Sequence, residues 1–267
     1  MPELPEVETV VKGLSPILVG QKIKDVKFSN KKLRNTRASN FAEHSVGTEV
    51  IKVWRRAKYI VIDLNNGYSI LVHLGMSGKL LTREDESDAK HTHMNMKLGN
   101  GYLIFNDPRR FGLVDIYKTN KLPFDKLGVE PLSKGFTVKY LLNKFKTKKI
   151  AVKLAIMDQE IVVGVGNIYA SEALFDSKIH PKKPANLLVE EDLQALVKSI
   201  QKVLKSAITS GGSTLRDYAR ADGTSGYFQH KFKVYGRAGE PCVNCSRPLS
   251  NFKLGGRSTF FCEKCQG

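Results

Sequence analysis

The first residues of the chain, MPELPEVET, contain a group that could act as a nucleophile. Removal of the initiator methionine would leave Pro2 as a secondary amine with a pKa of about 8, near working pH. Such an amine can attack an electrophilic carbon and form an iminium, which is a strong electron sink. Glu3 beside it supplies a carboxylate that can move protons. The structural alternative is that proline and glutamate simply suit the first turn of a helix.

Four cysteines near the C-terminus have the spacing of a metal site. They form C-x2-C, a gap of sixteen residues and a second C-x2-C, at Cys242, Cys245, Cys262 and Cys265. Two such pairs can hold one tetrahedral zinc, and a metal with four thiolate ligands has a structural role. Disulfides are the alternative, which a reducing compartment disfavours. We predict one structural Zn²⁺ and, between the pairs, a β-hairpin with its turn at residues 254–256.

Three turns carry side chains that a protein core does not need. HLGMSGK contains Met76, NDPRRFG contains Arg109, Arg110 and Phe111, and LGGRS contains Arg257. Apolar side chains on such tips can pack on their own loop, or they can enter a base stack while arginines take phosphates or base edges. The two arginines beside Phe111 favour the second interpretation.

Basic residues and histidines suggest further contacts with phosphate. Lys58 follows two arginines in WRRAKY, and Lys149 and Lys153 belong to a cluster that charge alone would make a solvated helix face. His91 and His93 in KHTH are expected on one face of a strand. For these histidines we favour phosphate contact or plain structure over a metal site.

The segment IVVGVGNIYASEALF places glycines directly before a predicted helix. Gly164 and Gly166 can bring backbone N–H groups close to an anion, and Asn167 can cap the helix. Phosphate is the ligand that this arrangement favours.

The composition favours a nucleic-acid partner. The chain has 267 residues, with 43 lysines and arginines against 26 acidic residues and a net charge of +17. An excess of this size indicates a polyanion, of which nucleic acid is the commonest. A membrane surface is the alternative, but no apolar run approaches spanning length and the N-terminus is no signal peptide. We expect a soluble intracellular protein.

The pattern of elements predicts an α+β protein with several domains. Apolar residues at helical spacing follow Pro5, and seven short β-rich runs between residues 20 and 120 predict an antiparallel sandwich or barrel. Four further helices are predicted at 136–148, 150–158, 167–177 and 189–209. The predicted domains are a β domain with the N-terminal helix (1–120), a linker (121–135), a helical domain (136–228) and the cysteine region (229–267).

Together these motifs resemble bacterial formamidopyrimidine-DNA glycosylase, a family that repairs oxidised purines. MPELPEVET, RRAKY, HLGMSG, KHTH, DPRRFG, VVGVGNIYASE, GGSTLRDY, VYGR and the four cysteines follow the family's order over essentially the whole chain. The resemblance implies a catalytic β-sandwich, a helix-two-turns-helix domain and a zinc finger, with damaged double-stranded DNA bound in the cleft between. It also implies a monomer in the bacterial cytoplasm, associated with the nucleoid when on DNA, and no membrane partner.

The resemblance assigns roles to the candidate residues. The amine of Pro2 would attack C1′ of the damaged nucleotide, with Glu3 as the acid/base partner. Lys58 would serve β-elimination and phosphate binding, and Arg257 would serve δ-elimination. The gap left by the flipped base would be filled by Met76, Arg109 and Phe111, with Arg109 facing the orphaned cytosine. Phosphates would be positioned by His91, Arg110, Lys149 and Asn167. The active site would be supported by Glu6, His73 and Lys153.

Two alternative functions follow from the same motifs. Endonuclease VIII, the sister glycosylase for oxidised pyrimidines, shares Pro2, Glu3 and the finger, although MPELPE and HLGMSG favour the purine enzyme. A non-catalytic zinc-ribbon DNA-binding protein would have the same charge and cysteines but no use for a processed Pro2.

The resemblance also implies that a loop at residues 216–229 would close over the extruded base, and such loops vary within the family.

Overall fold

The computed structural model describes residues 2–31, 33, 38–213 and 228–267. The chain divides into two compact units, one with Met1–Phe124 and Ser210–Gln229 and the other with Asp125–Thr209 and His230–Gly267. The predicted domain boundaries group Ser210–Ser213 with the helices, whereas in the structure these residues belong to the unit that holds the sheets. No helix within the described residues is long and apolar enough to cross a membrane.

A helix at the N-terminus opens the first unit. Helix α1 spans Leu4–Leu18 and begins after Glu3, whose N–H donates to Glu6 Oε2 (2.9 Å). This is the bond by which the third helical residue satisfies the backbone of the N-cap. The helix buries an apolar stripe formed by Val7, Val10, Val11, Leu14 and Leu18.

Two antiparallel four-stranded sheets form the rest of the first unit. The strand order is β1-β6-β7-β5 in one sheet and β2-β3-β4-β8 in the other. Apolar side chains of both sheets and of α1 belong to one buried core, which confirms the predicted α+β fold with a β-sandwich. The strands are β1 (Asp25–Phe28), β2 (Val50–Arg56), β3 (Tyr59–Leu64), β4 (Tyr68–His73), β5 (Lys79–Arg83), β6 (Thr92–Lys97), β7 (Tyr102–Asn106) and β8 (Leu113–Lys118).

Two elements of the first unit were not predicted from the sequence. One is the helix α2 (Ala38–Ser45), which is held by tertiary packing, as the edge contact between the rings of Phe28 and Phe41 (5.0 Å) illustrates. The other is β5, in which only Leu80 is fully buried. Among the side chains of each segment whose burial the structure describes, too few are buried to produce a recognisable period.

The second unit contains four helices and a two-stranded hairpin. The helices are α3 (Val138–Phe145), α4 (Val152–Met157), α5 (Asn167–Asp176) and α6 (Glu190–Thr209). Strands β9 (Ser250–Leu254) and β10 (Arg257–Phe261) pair antiparallel, and the turn between them contains Gly255 and Gly256 in left-handed conformations. The hairpin predicted between the two cysteine pairs is therefore present.

The segment predicted as a linker is divided between the two units. Phe124 packs on the rings of Trp54 and Tyr59, at centroid distances of 6.3 and 5.8 Å. On the other side, the Gly128 N–H donates to the Gln159 carbonyl (2.8 Å), and the next residue forms a parallel bridge within the second unit. The chain therefore passes from the first unit to the second between Phe124 and Asp125.

Candidate active site

The start of α1 holds the predicted nucleophile and its acidic neighbours. Pro2 and Glu3 are buried directly before the helix, where the helix dipole opposes protonation of a nearby amine. Glu6 Oε2 accepts from the Glu3 N–H, and Glu6 Oε1 accepts from both the N–H (2.8 Å) and the Oγ (3.0 Å) of Ser213. Glu6 thus holds the backbone of Glu3 and joins it to a segment distant in sequence. Met1 lies outside the described residues.

Lys58 lies in the tight turn between β2 and β3. Ala57 has a left-handed φ of 54°, and its carbonyl accepts from Arg55 Nη1 (2.9 Å). Arg55 Nε also pairs with Glu8 Oε2 (2.8 Å), and since Glu8 belongs to α1 this ion pair holds the turn against the helix that follows Pro2. Lys58 is only 7% exposed, which is unusual for a lysine at a hairpin tip.

His73 ends β4 close to the Lys58 turn. Its ring meets that of Tyr59 edge-on at 4.9 Å, and its Nδ1 accepts from the Gly75 N–H (3.0 Å). Burial, with a further contribution from the Lys58 ammonium, lowers the pKa of His73 to about 4. Because Nδ1 is an acceptor, the neutral ring carries its proton on Nε2. His73 therefore offers one neutral N–H donor beside a lysine.

The two loops that carry Met76 and Phe111 lie against each other. A Cβ on Gly75 would be 2.5 Å from the carbonyl carbon of Phe111, and Gly75 has a φ of +60°, so only glycine permits this approach. Met76 and Phe111 are 36% and 45% exposed, and the Arg109 guanidinium lies 5.3 Å from the Phe111 ring centroid. The two loops therefore present apolar and cationic side chains at neighbouring tips.

The two histidines of KHTH do not share a strand face, and that prediction is wrong. His91 precedes β6 in a left-handed conformation (φ 74°), and the pairing of β6 with β7 shifts register between Thr92 and Met94. His93 is buried, with Nε2 donating to the Asp107 carbonyl (2.9 Å) and Nδ1 3.1 Å from an oxygen of another loop. A local bulge of this kind changes which way successive side chains point. His93 is a structural residue, and His91 stays a predicted phosphate contact.

Lys153 is buried in the second unit and does not lie on a solvated face, so that interpretation is wrong. It is 1% exposed, and its Nζ donates to Asn167 Oδ1 (2.7 Å), Thr259 Oγ1 (2.7 Å) and the Ser258 carbonyl (3.2 Å). The Asn167 Nδ2 donates to the same carbonyl (2.9 Å). Lys153 and Asn167 together join α4, α5 and β10, next to Arg257, which is exposed at the start of β10.

The glycine segment before α5 uses its polar groups internally. The Gly164 N–H donates to Gln159 Oε1 (2.8 Å), and Gln159 Nε2 donates to the Val165 carbonyl (3.1 Å). The N-cap of α5 is Gly166, and Asn167 is the first helical residue. The expectations that Gly164 would offer its N–H to an anion and that Asn167 would cap the helix are therefore wrong. Buried amides need a partner within the fold, and Gln159 supplies one.

The other predicted phosphate contacts are exposed. Arg110 has a left-handed φ of 57° in the turn before β8, and Lys149 lies between α3 and α4 in the second unit. Both side chains are open to solvent, as long cationic residues usually are. Of the loop expected to close over the base, residues 216–227 lie outside the described part of the chain.

The four cysteines converge in the second unit. Their sulfur atoms all lie within 4.8 Å of one another, with Cys242 and Cys265 3.9 Å apart and Cys245 and Cys262 3.5 Å apart. A tetrahedral zinc bound at about 2.3 Å to each sulfur has sulfur–sulfur edges of about 3.8 Å. The cluster therefore fits one structural zinc with four thiolate ligands.

Family models match three successive parts of the chain. The formamidopyrimidine-DNA glycosylase N-terminal domain matches residues 1–114, the formamidopyrimidine-DNA glycosylase H2TH domain matches 127–219, and the zinc finger found in FPG and IleRS matches 239–267. The formamidopyrimidine-DNA glycosylase of Rickettsia conorii (strain ATCC VR-613 / Malish 7) is 46% identical over 271 residues, covering 100% of this chain and 99% of that one. The chain belongs to the formamidopyrimidine-DNA glycosylase family.

Solved structures of formamidopyrimidine-DNA glycosylases share the whole fold. Wild-type Lactococcus lactis Fpg (MutM), in complex with an N7-benzyl-Fapy-dG containing DNA, is 35% identical with a TM-score of 0.93, and each chain is covered to 99%. The MutM (FPG) protein from Thermus thermophilus is 36% identical with a TM-score of 0.90, covering 99% of this chain and 98% of that one. The protein is thus an Fpg-type DNA glycosylase of base excision repair, and the predictions of family, enzyme class and structural zinc are confirmed.

Several supporting residues were not predicted from the sequence. Ser213 and Arg55 are the partners of two glutamates of α1, and their roles depend on contacts far apart in the chain. The Glu172 carboxylate accepts three successive N–H groups of residues 233–235, at 2.9, 3.0 and 2.8 Å. Burial raises the pKa of Glu172, although these backbone donors oppose the shift. An acidic residue amid the apolar run of NIYASEALF is a signal that could have identified it.

Proposed function

We propose that the protein is a bifunctional glycosylase and AP lyase that excises 8-oxoguanine and formamidopyrimidines from duplex DNA. The observation that carries this proposal is the start of α1, where Pro2 precedes the helix and Glu6 holds the backbone of Glu3. The matched relatives support the substrate class, because they are named formamidopyrimidine-DNA glycosylases and one was solved with a Fapy-dG containing DNA. The net charge of +17 supports a DNA partner.

In the proposed reaction the amine of Pro2 is the nucleophile. It attacks C1′ of the damaged nucleotide, the bond from C1′ to the base breaks, and the base leaves with the bonding electron pair and takes up a proton. Glu3 gives a proton to the ring oxygen of the sugar as the ring opens to the iminium. The iminium acidifies C2′, so loss of a C2′ proton expels the 3′ phosphate, and a second elimination expels the 5′ phosphate. Water then releases Pro2.

We assign Lys58 to β-elimination and Arg257 to δ-elimination. The burial of Lys58 at a turn joined to α1 through Arg55 supports its assignment, because a partly desolvated lysine can act in proton transfer. The position of Arg257 on an exposed hairpin tip suits a group that meets DNA. His73 is neutral and its Nε2–H would donate a hydrogen bond to a phosphate oxygen. Because its ring carries no charge, it would not repel the Lys58 ammonium.

Contacts along the DNA are assigned to four polar or cationic residues and to the tips of two loops. His91, Arg110, Lys149 and Asn167 would position phosphates, which set register without reading sequence. Met76, Arg109 and Phe111 would fill the space of the flipped nucleotide, with Arg109 facing the cytosine left behind. Their exposure on two abutting loops supports this role.

We further propose that the protein acts as a monomer in the bacterial cytoplasm, on the nucleoid. The three family matches and all assigned residues lie within one chain, which supports action without a second copy. Double-stranded DNA with a damaged base is the partner that this assignment requires.

Borohydride trapping tests the proposed chemistry. Zinc-loaded protein lacking Met1 is incubated with a duplex that carries one 8-oxoguanine opposite cytosine and is then reduced. We expect a protein–DNA adduct whose peptide begins at Pro2, and slower trapping from Pro2→Gly, because its primary amine forms an imine that must be protonated before it becomes a cationic electron sink. The absence of an adduct with the native chain would overturn the lyase mechanism. Faster trapping on a duplex with an oxidised pyrimidine would instead favour an endonuclease VIII-like specificity.

A further inference from the structure

A buried carboxylate lies beneath the two loops that carry Met76 and Phe111. Asp107 is fully buried, and its Oδ1 accepts from the Ser77 Oγ (2.6 Å) and from the Arg109 N–H (3.2 Å). Its Oδ2 accepts from the Gly112 N–H (2.8 Å). The carboxylate therefore holds one loop by the side chain of Ser77 and the other loop by backbone groups on both sides of Phe111.

Further contacts make this arrangement rigid. The Ser77 Oγ also accepts from the Arg109 N–H (3.3 Å), so the two loops are bonded to each other as well as to Asp107. A Cβ on Gly112 would lie 2.5 Å from the ring of Phe105 and 3.1 Å from Asp107 Oδ2, so the turn packs too closely here for any side chain. The backbone of Asp107 is held in turn, because its carbonyl accepts from His93 Nε2 (2.9 Å).

We propose that Asp107 is a positioning residue that locks the two loops into one unit and thereby sets the preference for cytosine opposite the lesion. This inference rests on the proposed function, in which Arg109 faces the orphaned cytosine. An arginine can discriminate between bases only if its own backbone is held in place. Asp107 does this by accepting the Arg109 N–H, while the guanidinium rests against the Phe111 ring.

The role requires a carboxylate, because three donors meet two oxygen atoms. Asparagine at this position would offer one oxygen and one NH2 group, and the NH2 group can only donate. If the NH2 group replaces Oδ2, the Gly112 N–H faces a donor and loses its acceptor. If it replaces Oδ1, the Arg109 N–H loses Asp107 and keeps only its longer contact with the Ser77 Oγ (3.3 Å). Asp107→Asn keeps the size of the side chain and so isolates this effect.

The test measures DNA binding and needs no catalysis. Zinc-loaded Asp107→Asn, Ser77→Ala and unsubstituted protein are titrated with duplexes that carry a tetrahydrofuran abasic analogue opposite either cytosine or adenine. The ratio of the two dissociation constants is the readout, since a general loss of affinity leaves it unchanged. We expect Asp107→Asn to reduce the preference for cytosine at least tenfold and Ser77→Ala to reduce it about threefold.

The same unit offers a matched control pair. Asp63 Oδ1 accepts from the Ser69 Oγ at 2.6 Å, as Asp107 does from Ser77, and Asp63 Oδ2 accepts from Trp54 Nε1 (2.8 Å). Asp63 lies in β3 and Ser69 in β4, apart from both loops. Asp63→Asn and Ser69→Ala should therefore keep the base preference of the unsubstituted protein.

The outcomes separate this inference from the proposed chemistry. A folded Asp107→Asn variant with an unaltered ratio would overturn it, as would unsubstituted protein that shows no preference for cytosine. If Asp107→Asn does not fold, an unaltered ratio in Ser77→Ala contradicts it equally. A reduced ratio in protein that forms no borohydride adduct would uphold the positioning role while the lyase mechanism fails.

Discussion

The hydrogen bond between Lys153 Nζ and Thr259 Oγ1 (2.7 Å) leads to a quantitative prediction for stability. Thr259 is fully buried and Lys153 is 1% exposed, so neither group can exchange its partner for water. Thr259→Val keeps the shape of the side chain and removes one acceptor from a buried ammonium. Hydrogen bonds to charged groups contribute about 1.5–3 kcal/mol, and we expect Thr259→Val to lower the free energy of unfolding by that amount.

A double-mutant cycle separates the bond from the general effect of each substitution. Lys153→Met keeps the apolar stem and removes the charge, and the relief of desolvation offsets part of the lost bonding. In the Lys153→Met background, Thr259→Val should lower the free energy of unfolding little further, because no buried ammonium is left without an acceptor. The coupling energy between the two substitutions should therefore be about 1.5–3 kcal/mol.

The assay is urea unfolding of the zinc-loaded protein, followed by far-UV circular dichroism. Thr48→Val is the matched control, because Thr48 Oγ1 donates to the Ser45 carbonyl (2.7 Å) in the first unit, whereas Lys153 belongs to the second. Its effect should add to that of Lys153→Met within about 0.5 kcal/mol. A coupling energy below about 0.5 kcal/mol between Lys153 and Thr259 would refute the reasoning.

Three further predictions concern the active site, the metal and pH. Glu3→Gln should slow single-turnover strand cleavage by about 100-fold or more without changing the melting temperature, because Glu6 binds the backbone of residue 3; cleavage at the native rate would contradict the assignment. Removal of zinc by a chelator, or Cys262→Ser, should lower the melting temperature and weaken DNA binding, and an unchanged melting curve would exclude a structural metal. The pKa of His73 is about 4 in the folded protein, so between pH 6.5 and 4 the unfolded chain binds a proton at this histidine and the folded chain does not. The free energy of unfolding should therefore fall by up to about 3 kcal/mol as the pH drops from 6.5 to 4. His73→Asn should flatten this slope in urea titrations at stepped pH, and a slope equal to that of the native chain would refute the assignment.

Features with local spacing could be predicted from the sequence. The cysteine pairs indicated both the metal site and the hairpin, because ligand spacing within each pair is a local property. The N-terminal helix followed from Pro5 and a regular apolar stripe, and the β-rich runs indicated an antiparallel sandwich. Family membership could also be inferred, since the motifs keep their order along the whole chain.

The environment of the site residues could not be predicted, because their partners are remote. Lys153 meets acceptors 14 and 106 residues further along the chain, so a lysine in a basic cluster gave no sign of burial. The direction in which the His91 side chain points depends on a shift in strand register. Asn167 does not cap its helix, because its side chain bonds to Lys153 instead. Asp107 precedes a proline, which indicated a turn but not the three donors that converge on its carboxylate.

The contact between Glu6 and Ser213 has a consequence for synthesis on the ribosome. The chain leaves the first unit at Phe124 and returns at Ser210, so the whole helical insertion is made before Ser213 appears. At about 5–20 residues per second the intervening stretch of roughly 90 residues takes on the order of 5–18 seconds. During that interval Glu6, which binds the backbone beside the proposed nucleophile, lacks its partner Ser213. A product terminated before Ser213 would therefore lack a contact that supports the proposed catalytic centre.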